Sequence, residues 1–176
     1  MLDLRSLIRT IPDYPKPGIL FRDITTLIEH PQGFKESVER LAEAHRGLGI
    51  THVVGIEARG FIFGAGVAIA LGVGFVPIRK RGKLPGATIG QNYTLEYGVD
   101  TIEIHADVLS NAHKVLLIDD LIATGGTAVA AVGLLRRTGA TIENAGFVID
   151  LFDLGGAEKL RALGVRIVSL VPFAGH

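Results

Sequence analysis

The chain has 176 residues, with 18 Lys plus Arg balanced by 18 Asp plus Glu and no cysteine. This length suits one domain with a substantial core, and the lack of cysteine excludes disulfides, thiolate metal sites and a cysteine nucleophile. A net charge of zero gives no global field for nucleic acid or an anionic membrane, so we expect neither as a partner.

The amino terminus and one long uncharged run bear on whether the protein is secreted or inserted in a membrane. Residues 1–5 lack the basic start and apolar core of a signal peptide. Residues 60–78 carry no charge over nineteen positions, enough in principle to cross a bilayer. Glycines and Pro77 divide this run, so we predict a buried helix and then a buried strand. We expect a cytoplasmic protein.

Taken in chain order, the sequence predicts alternating helices and apolar strands after a turn-rich start. Helical spacing covers residues 34–47, 61–71 and 127–137, and strand patterns cover 51–56, 75–78, 114–119, 142–151 and 165–171. Such alternation is typical of a parallel sheet covered on both faces. The predicted fold is therefore α/β, a doubly wound core in a single domain over residues 1–176.

Residues 79–105 interrupt this alternation. A basic loop rich in glycine and proline comes first, and residues 93–97 and 101–105 then resemble two hairpin arms around a turn at 98–100. A long excursion in a compact domain is usually a functional lid or a disordered loop. We predict a lid over about residues 80–105.

The most informative segment is 115–127, which reads V-L-L-I-D-D-L-I-A-T-G-G-T. An apolar strand delivers Asp119 and Asp120 to its carboxyl end, where ligands of α/β sheets bind. The small-residue turn at 123–127 then opens into a helix, and its backbone N–H groups can converge on an anion. Two carboxylates beside a phosphate cradle suit a ribose phosphate.

Other interpretations of this segment are open. An acid pair at a strand end also occurs in magnesium-dependent phosphatases, or in a solvated turn. Thr124 or Thr127 could simply cap the helix. The segment is neither a Walker loop, since no Lys follows the glycines, nor a G-x-G-x-x-G fingerprint.

Segment 115–127 resembles the PRPP-binding motif of the type I phosphoribosyltransferases. Further segments resemble the adenine phosphoribosyltransferases of that family, in the family's order along nearly the whole chain. They are Pro17–Ile24, Glu57–Phe61, Arg79–Pro85, Leu95–Gly98 and Leu151–Gly156. The resemblance implies the type I phosphoribosyltransferase fold, with a central sheet flanked by helices, a flexible lid hairpin and a small hood over about residues 1–33.

The resemblance also implies substrates and residue roles. The substrates would be PRPP and adenine, the products AMP and pyrophosphate, with Mg²⁺ bound mainly through the pyrophosphate and no dedicated protein cage. Asp119 and Asp120 would hold the ribose hydroxyls, and Tyr97 would pack the closed lid onto the ribosyl end. The implied 5′-phosphate ligands are Ala123, Thr124, Gly125, Gly126 and Thr127. The implied pyrophosphate ligands are Arg59, Arg79, Lys80 and Lys83, partly across the interface of a homodimer.

At the purine end, the resemblance makes Glu96 the catalytic acid/base, against the imidazole edge of adenine. The implied adenine-binding residues are Leu20, Phe21, Arg22 and Leu151. Each charged candidate has a plainer alternative: Arg59 could pair with Glu57 or another acid, the basic loop could be a solvated face, and Glu96 could be a cross-strand partner.

Two rival functions differ in the base or in catalysis. Oxopurine phosphoribosyltransferases resemble this chain but carry an acid at the position of Ala123, so the alanine disfavours hypoxanthine, guanine or xanthine. Some bacterial regulators use this fold to sense PRPP without catalysis. They normally add a DNA-binding segment, and we find neither spare length nor a basic face for one here.

Overall fold

The computed structural model describes residues 2–95 and 98–175. The helices are α1 (Thr25–Ile28), α2 (Pro31–His45), α3 (Arg59–Leu71), α4 (Gly126–Arg137) and α5 (Gly156–Ala162). The strands are β1 (Arg9–Pro12), β2 (Leu20–Asp23), β3 (His52–Ile56), β4 (Gly74–Lys80), β5 (Thr88–Leu95), β6 (Gly98–His105), β7 (Lys114–Ile122), β8 (Thr141–Leu151) and β9 (Arg166–Phe173). Short 3₁₀ turns cover Leu4–Leu7 and Phe152–Leu154.

The predicted α/β fold is confirmed. A seven-stranded sheet has the order β5-β6-β4-β3-β7-β8-β9, and β4, β3, β7, β8 and β9 run parallel. One apolar cluster packs α4 and α5 against one face, and a second packs α2 and α3 against the other. From β3 the next parallel strand, β4, is added toward one edge of the sheet, whereas from β7 the strands β8 and β9 are added toward the other edge. The switch point therefore lies between β3 and β7, and such sheets bind ligands at that point.

The uncharged run over residues 60–78 forms two elements, as predicted. Helix α3 occupies its first part, and Gly72 ends the helix in the left-handed conformation, with φ of 70°. Strand β4 follows with Val76 and Ile78 buried in the sheet. None of the helices within residues 2–95 and 98–175 is long and apolar enough to cross a membrane.

The predicted lid is a hairpin whose arms differ from the sequence prediction. Strands β5 and β6 pair from Thr88 opposite His105 to Leu95 opposite Gly98. The predicted turn at 98–100 is therefore wrong, because these residues belong to the second arm. Alternation alone could not locate the turn, since apolar and polar residues alternate on both sides of it. The connecting residues, 96 and 97, lie outside the described residues.

The amino-terminal hood is a separate two-stranded sheet of β1 and β2. Asp23 anchors it: its buried carboxylate accepts hydrogen bonds from the Thr25 hydroxyl at 2.6 Å and from Arg9 Nη2 at 2.5 Å. The Thr25 and Arg9 bonds, in that order, lower the pKa of Asp23 to about 2. The hood is thus tied together by an ionised carboxylate.

Asp23→Asn should destabilise the fold by about 2 kcal/mol at pH 7, because it removes a buried, charged acceptor of hydrogen bonds from Thr25 and Arg9. A lowered pKa contributes stability above the unfolded value near 4, and this contribution is lost as pH falls toward 2. Chemical denaturation at pH 7 and pH 2.5 measures the difference. An equal difference at both pH values would contradict the assignment.

Candidate active site

The acid pair lies where β7 extends beyond its neighbour β3. Pairing between the two strands ends at Ile118 opposite Gly55, while β7 continues beside β8 to Ile122. Beyond the end of β3 the structure forms a cavity of about 550 Å³. The predicted residues that line it are Arg59, Lys80, Asp119, Asp120, Ala123, Thr124, Gly125, Gly126 and Thr127. The structure thus brings the acid pair, the glycine loop (residues 123–127) and two cations together.

The two acids differ in their surroundings. Arg59 Nε lies 2.6 Å from Asp120 Oδ2, so the alternative of an Arg59–Glu57 pair is wrong and another acid is its partner. Within the described part of the chain, no cation forms an ion pair with Asp119; its Oδ1 accepts the backbone N–H of Asp120 at 2.9 Å. Burial, and then the charge of Asp120, raises the pKa of Asp119 well above its ordinary value.

Helix α3 begins directly against the acid pair. A Cβ at Gly60 would lie 2.6 Å from Asp119 Oδ1 and 3.1 Å from the Ile118 carbonyl oxygen. Only glycine permits this approach. The Glu57–Phe61 segment therefore sets the distance between the end of β3 and the carboxylates of β7.

The glycine loop leaves its backbone donors free. Gly125 has φ of 83° and precedes α4 with no side-chain cap, so the alternative in which Thr124 or Thr127 merely caps the helix is not what forms. Among the described residues, none accepts a hydrogen bond from the N–H groups of residues 124–128. Unpaired donors at the start of a twelve-residue helix form an anion site.

Helix α5 packs behind this loop. The Gly156 N–H donates to the Ala123 carbonyl at 3.0 Å, and Lys159 Nζ donates to the Thr124 carbonyl at 2.8 Å. A Cβ at Gly125 would lie 2.8 Å from Gly156 Cα, so the two segments are in close contact. The Leu151–Gly156 segment thus supports the loop from outside the cavity.

Two of the other predicted cations, Arg79 and Lys80, are paired with acids. Arg79 Nη2 lies 2.8 Å from Glu57 Oε1, and Lys80 Nζ lies 3.3 Å from Asp100 Oδ2 on the lid hairpin. The Arg79 hydrogen bond is the main cause of a lowered pKa for Glu57. Arg79 and Lys83 do not line the cavity. An anion entering here would compete with carboxylates for Arg59, Arg79 and Lys80.

Sequence reasoning missed Tyr93, which lines the cavity from β5. Its hydroxyl donates to Asp100 Oδ2 at 3.2 Å, and Tyr93 and Thr127 line the same cavity. The lid hairpin and the glycine loop thus face one site. Glu57 and Gly156 were also missed as site-forming residues, although both fall in the segments that carry the family resemblance. For Tyr93 the only signal was its place in the predicted lid.

The predicted base-binding residues lie apart from this cavity. Leu20, Phe21 and Arg22 form β2 of the hood, and the Arg22 guanidinium lies 4.5 Å from the ring centre of Phe173. Phe173 also pairs in register with Leu151, so the hood and the end of β8 have this residue as a common neighbour. Phe21 contacts Tyr14 edge-on, with ring centres 5.2 Å apart. Glu96 and Tyr97 lie outside the described residues.

Comparison with known proteins matches these features to one family. A family model described as "Phosphoribosyl transferase domain" matches residues 24–171. Adenine phosphoribosyltransferase of Pectobacterium carotovorum subsp. carotovorum is 59% identical over 98% of this chain and 94% of its own length.

Solved structures agree in fold as well as sequence. The crystal structure of adenine phosphoribosyltransferase from Thermoanaerobacter pseudethanolicus has a TM-score of 0.91 at 45% identity, covering 97% of this chain and 98% of its own. That of Saccharomyces cerevisiae, complexed with an imino-altritol bisphosphate and adenine, has a TM-score of 0.88 at 38% identity, covering 95% and 96%. The chain belongs to the phosphoribosyltransferase family and, within it, to the adenine phosphoribosyltransferases.

Proposed function

We infer that this chain transfers the 5-phosphoribosyl group of PRPP to adenine, giving AMP and pyrophosphate in purine salvage. The observation that carries this inference is one cavity in which an acid pair lies beside a loop of unpaired N–H groups. The loop binds the 5′-phosphate, and Asp119 and Asp120 bind the ribose hydroxyls. Fixed backbone donors suit this role, because they need no reorganisation when charge develops on the sugar.

In the reaction, adenine N9 bonds to C1 of the ribose, the bond from C1 to pyrophosphate breaks, and the N9 proton leaves. Glu96 acts at the imidazole edge of the base, where proton exchange between its carboxyl group and N7 compensates for the proton lost from N9. Leu20 and Arg22 read adenine through their backbone while Phe21 and Leu151 cover its faces, and Tyr97 closes the lid on the sugar. In support, Pro12 opposite Leu20 has no N–H, so it cannot pair with the Leu20 carbonyl.

Arg59, Arg79, Lys80 and Lys83 neutralise the leaving pyrophosphate, and Mg²⁺ would be held mainly through that group rather than by the protein. The residues fit this form of metal binding: three acidic residues, Glu57, Asp119 and Asp120, line the cavity, and the described parts of the chain contain no cluster of three or more metal-binding side chains. When bound, Mg²⁺ spreads the negative charge of the leaving group. The chain's own part is to exchange the carboxylate partners of Arg59, Arg79 and Lys80 for phosphate oxygens.

We also propose a cytoplasmic homodimer. Helix α3 is apolar on both sides, and its outer face exposes 39% of Ile62 and 83% of Ile69, which lie two turns apart. A second copy is the occupant we propose, because α3 begins at Arg59 and this face therefore continues from the site. Packing of a second copy on this face would bury apolar surface beside the cations that bind pyrophosphate. Sedimentation of the purified chain tests the dimer, which a monomer at micromolar concentration would exclude.

One assay separates the candidate functions. The purified chain with PRPP and Mg²⁺ is offered adenine, hypoxanthine, guanine or xanthine, and nucleotide formation is measured. We expect AMP from adenine and little product from the oxopurines, because Ala123 offers no acid to their ring. Turnover of an oxopurine but not adenine would overturn the base assignment. PRPP binding without any turnover would favour the sensing regulator.

Glu96→Gln should lower kcat by about 10²-fold or more while leaving the affinity for PRPP nearly unchanged, because only proton transfer at the base is lost. Steady-state kinetics and PRPP titration measure the two effects. Glu103→Gln is the matched control: it removes a carboxylate from the same hairpin, where Glu103 accepts the Gly82 N–H at 3.1 Å. Near-normal turnover in Glu96→Gln would remove Glu96 from the mechanism.

A further inference from the structure

We propose that Lys159 is a positioning residue that aims the backbone donors of the glycine loop at the 5′-phosphate. The inference rests on the proposed binding of PRPP by this loop. Lys159 lies in α5, outside the cavity, so it does not itself contact the substrate. Its action passes through the Thr124 carbonyl, 2.8 Å from its Nζ.

The geometry of the peptide unit carries the argument. In a trans peptide the C=O and the following N–H point in opposite directions. The Ala123 carbonyl is drawn outward to the Gly156 N–H at 3.0 Å, and the Thr124 carbonyl is drawn outward to Lys159. The N–H groups of Thr124 and Gly125 therefore point toward the cavity that both residues line. Two carbonyl dipoles that would repel a phosphate are turned away from it.

The two hydrogen bonds that hold the Ala123 and Thr124 carbonyls are not equivalent. Gly156 holds the Ala123 peptide with a backbone donor, and this residue is buried at the start of α5. The Thr124 peptide depends on a side chain, and it is next to Gly125, whose φ of 83° lets the peptide turn freely. Without Lys159 this peptide can rotate and present its carbonyl to the anion. The charged donor also polarises the Thr124–Gly125 amide, which strengthens the Gly125 N–H as a donor.

The charge of Lys159 is available to the loop. Glu158, its neighbour in sequence, pairs with Arg161, and within residues 2–95 and 98–175 Lys159 has no carboxylate partner. The bond to Thr124 is thus the one polar contact of the Lys159 side chain among those residues. A cation behind the loop also favours an anion in front of it.

The test compares Lys159→Met, Lys159→Arg and Arg161→Met, the last being a control that removes a cation from the same helix. We expect Lys159→Met to raise KM for PRPP about tenfold, with kcat within twofold, KM for adenine unchanged and Tm unchanged. Lys159→Arg should restore most of the loss, because a guanidinium can reach the same carbonyl. Arg161→Met should behave as the wild type.

The outcomes distinguish failure of the positioning role from failure of the proposed function on which it rests. Binding of ribose 5-phosphate, measured by calorimetry, should weaken in Lys159→Met as much as KM for PRPP rises. An unchanged KM for PRPP in an active enzyme would overturn the positioning role while leaving the function intact. A fall in Tm large enough to account for the lost activity would also overturn it, since the role of Lys159 would then be structural. A wild type inactive with PRPP would refute the proposed function itself.

Discussion

Asp119→Asn is expected to stabilise the protein by about 1 kcal/mol at pH 7 while lowering kcat/KM by about 10²-fold. Burial and the neighbouring Asp120 raise the pKa of Asp119, so folding holds a proton that the unfolded chain releases. A carboxyl with a raised pKa destabilises the fold increasingly as pH rises above the unfolded value near 4. Asparagine removes that cost and keeps the acceptor for the Asp120 N–H, but it replaces the second carboxyl oxygen, which is needed for a ribose hydroxyl, with an amide NH2 group.

Thermal unfolding at pH 5.5 and pH 8 measures the change in stability of Asp119→Asn, and steady-state kinetics at one pH measures the change in kcat/KM. The stability gain of Asp119→Asn over the wild type should be larger at pH 8, because the wild-type cost grows with pH. Asp107→Asn is the control, since Asp107 is exposed in a turn and should change neither quantity. A variant that is both less stable and less active would contradict the proposed cost of ionising Asp119.

Gly156→Ala is expected to cost about 2 kcal/mol of stability and to raise KM for PRPP by more than tenfold. The added Cβ would lie 2.3 Å from the Ala123 carbonyl oxygen and 2.8 Å from the Gly125 nitrogen. Both are backbone atoms, so no side-chain rotation relieves the contact and the glycine loop itself must move. The change therefore acts on the phosphate site although Gly156 does not line the cavity.

Gly133→Ala provides the comparison for this variant. Gly133 is in the interior of α4, and the nearest atom to an added Cβ would be 3.8 Å away. Alanine there should stabilise the helix by about 0.5–1 kcal/mol and leave KM for PRPP unchanged. If Gly156→Ala bound PRPP as well as Gly133→Ala does, the loop would not depend on α5.

The parts of the site that could be predicted from sequence are those encoded locally. Segment 115–127 carries its strand, acids, glycines and helix start within thirteen residues, and the structure places all of them around one cavity. Even there the strand ends later than predicted, at Ile122, because β8 continues to pair with it after β3 has ended. A strand boundary depends on its neighbours as well as on its own sequence.

Partners across the sheet could not be predicted. Arg59 follows β3 and Asp120 lies in β7, so their pairing depends on the parallel register of two strands far apart in the chain. From sequence, Glu57 or another acid could have been the partner of Arg59, and Glu57 instead binds Arg79. Tyr93 was overlooked for the same reason, since it shares a cavity with Thr127 only because the hairpin lies beside the start of α4.

By itself, the sequence determined the α/β class, the glycine loop and the family, because apolar periodicity, glycine placement and contiguous motifs are local properties of the chain. Only the tertiary structure decided which acid meets which cation, and that α5 holds the loop's carbonyls away from the cavity. Those choices depend on distances between residues remote in sequence, which strand order and register set, and no local pattern records them.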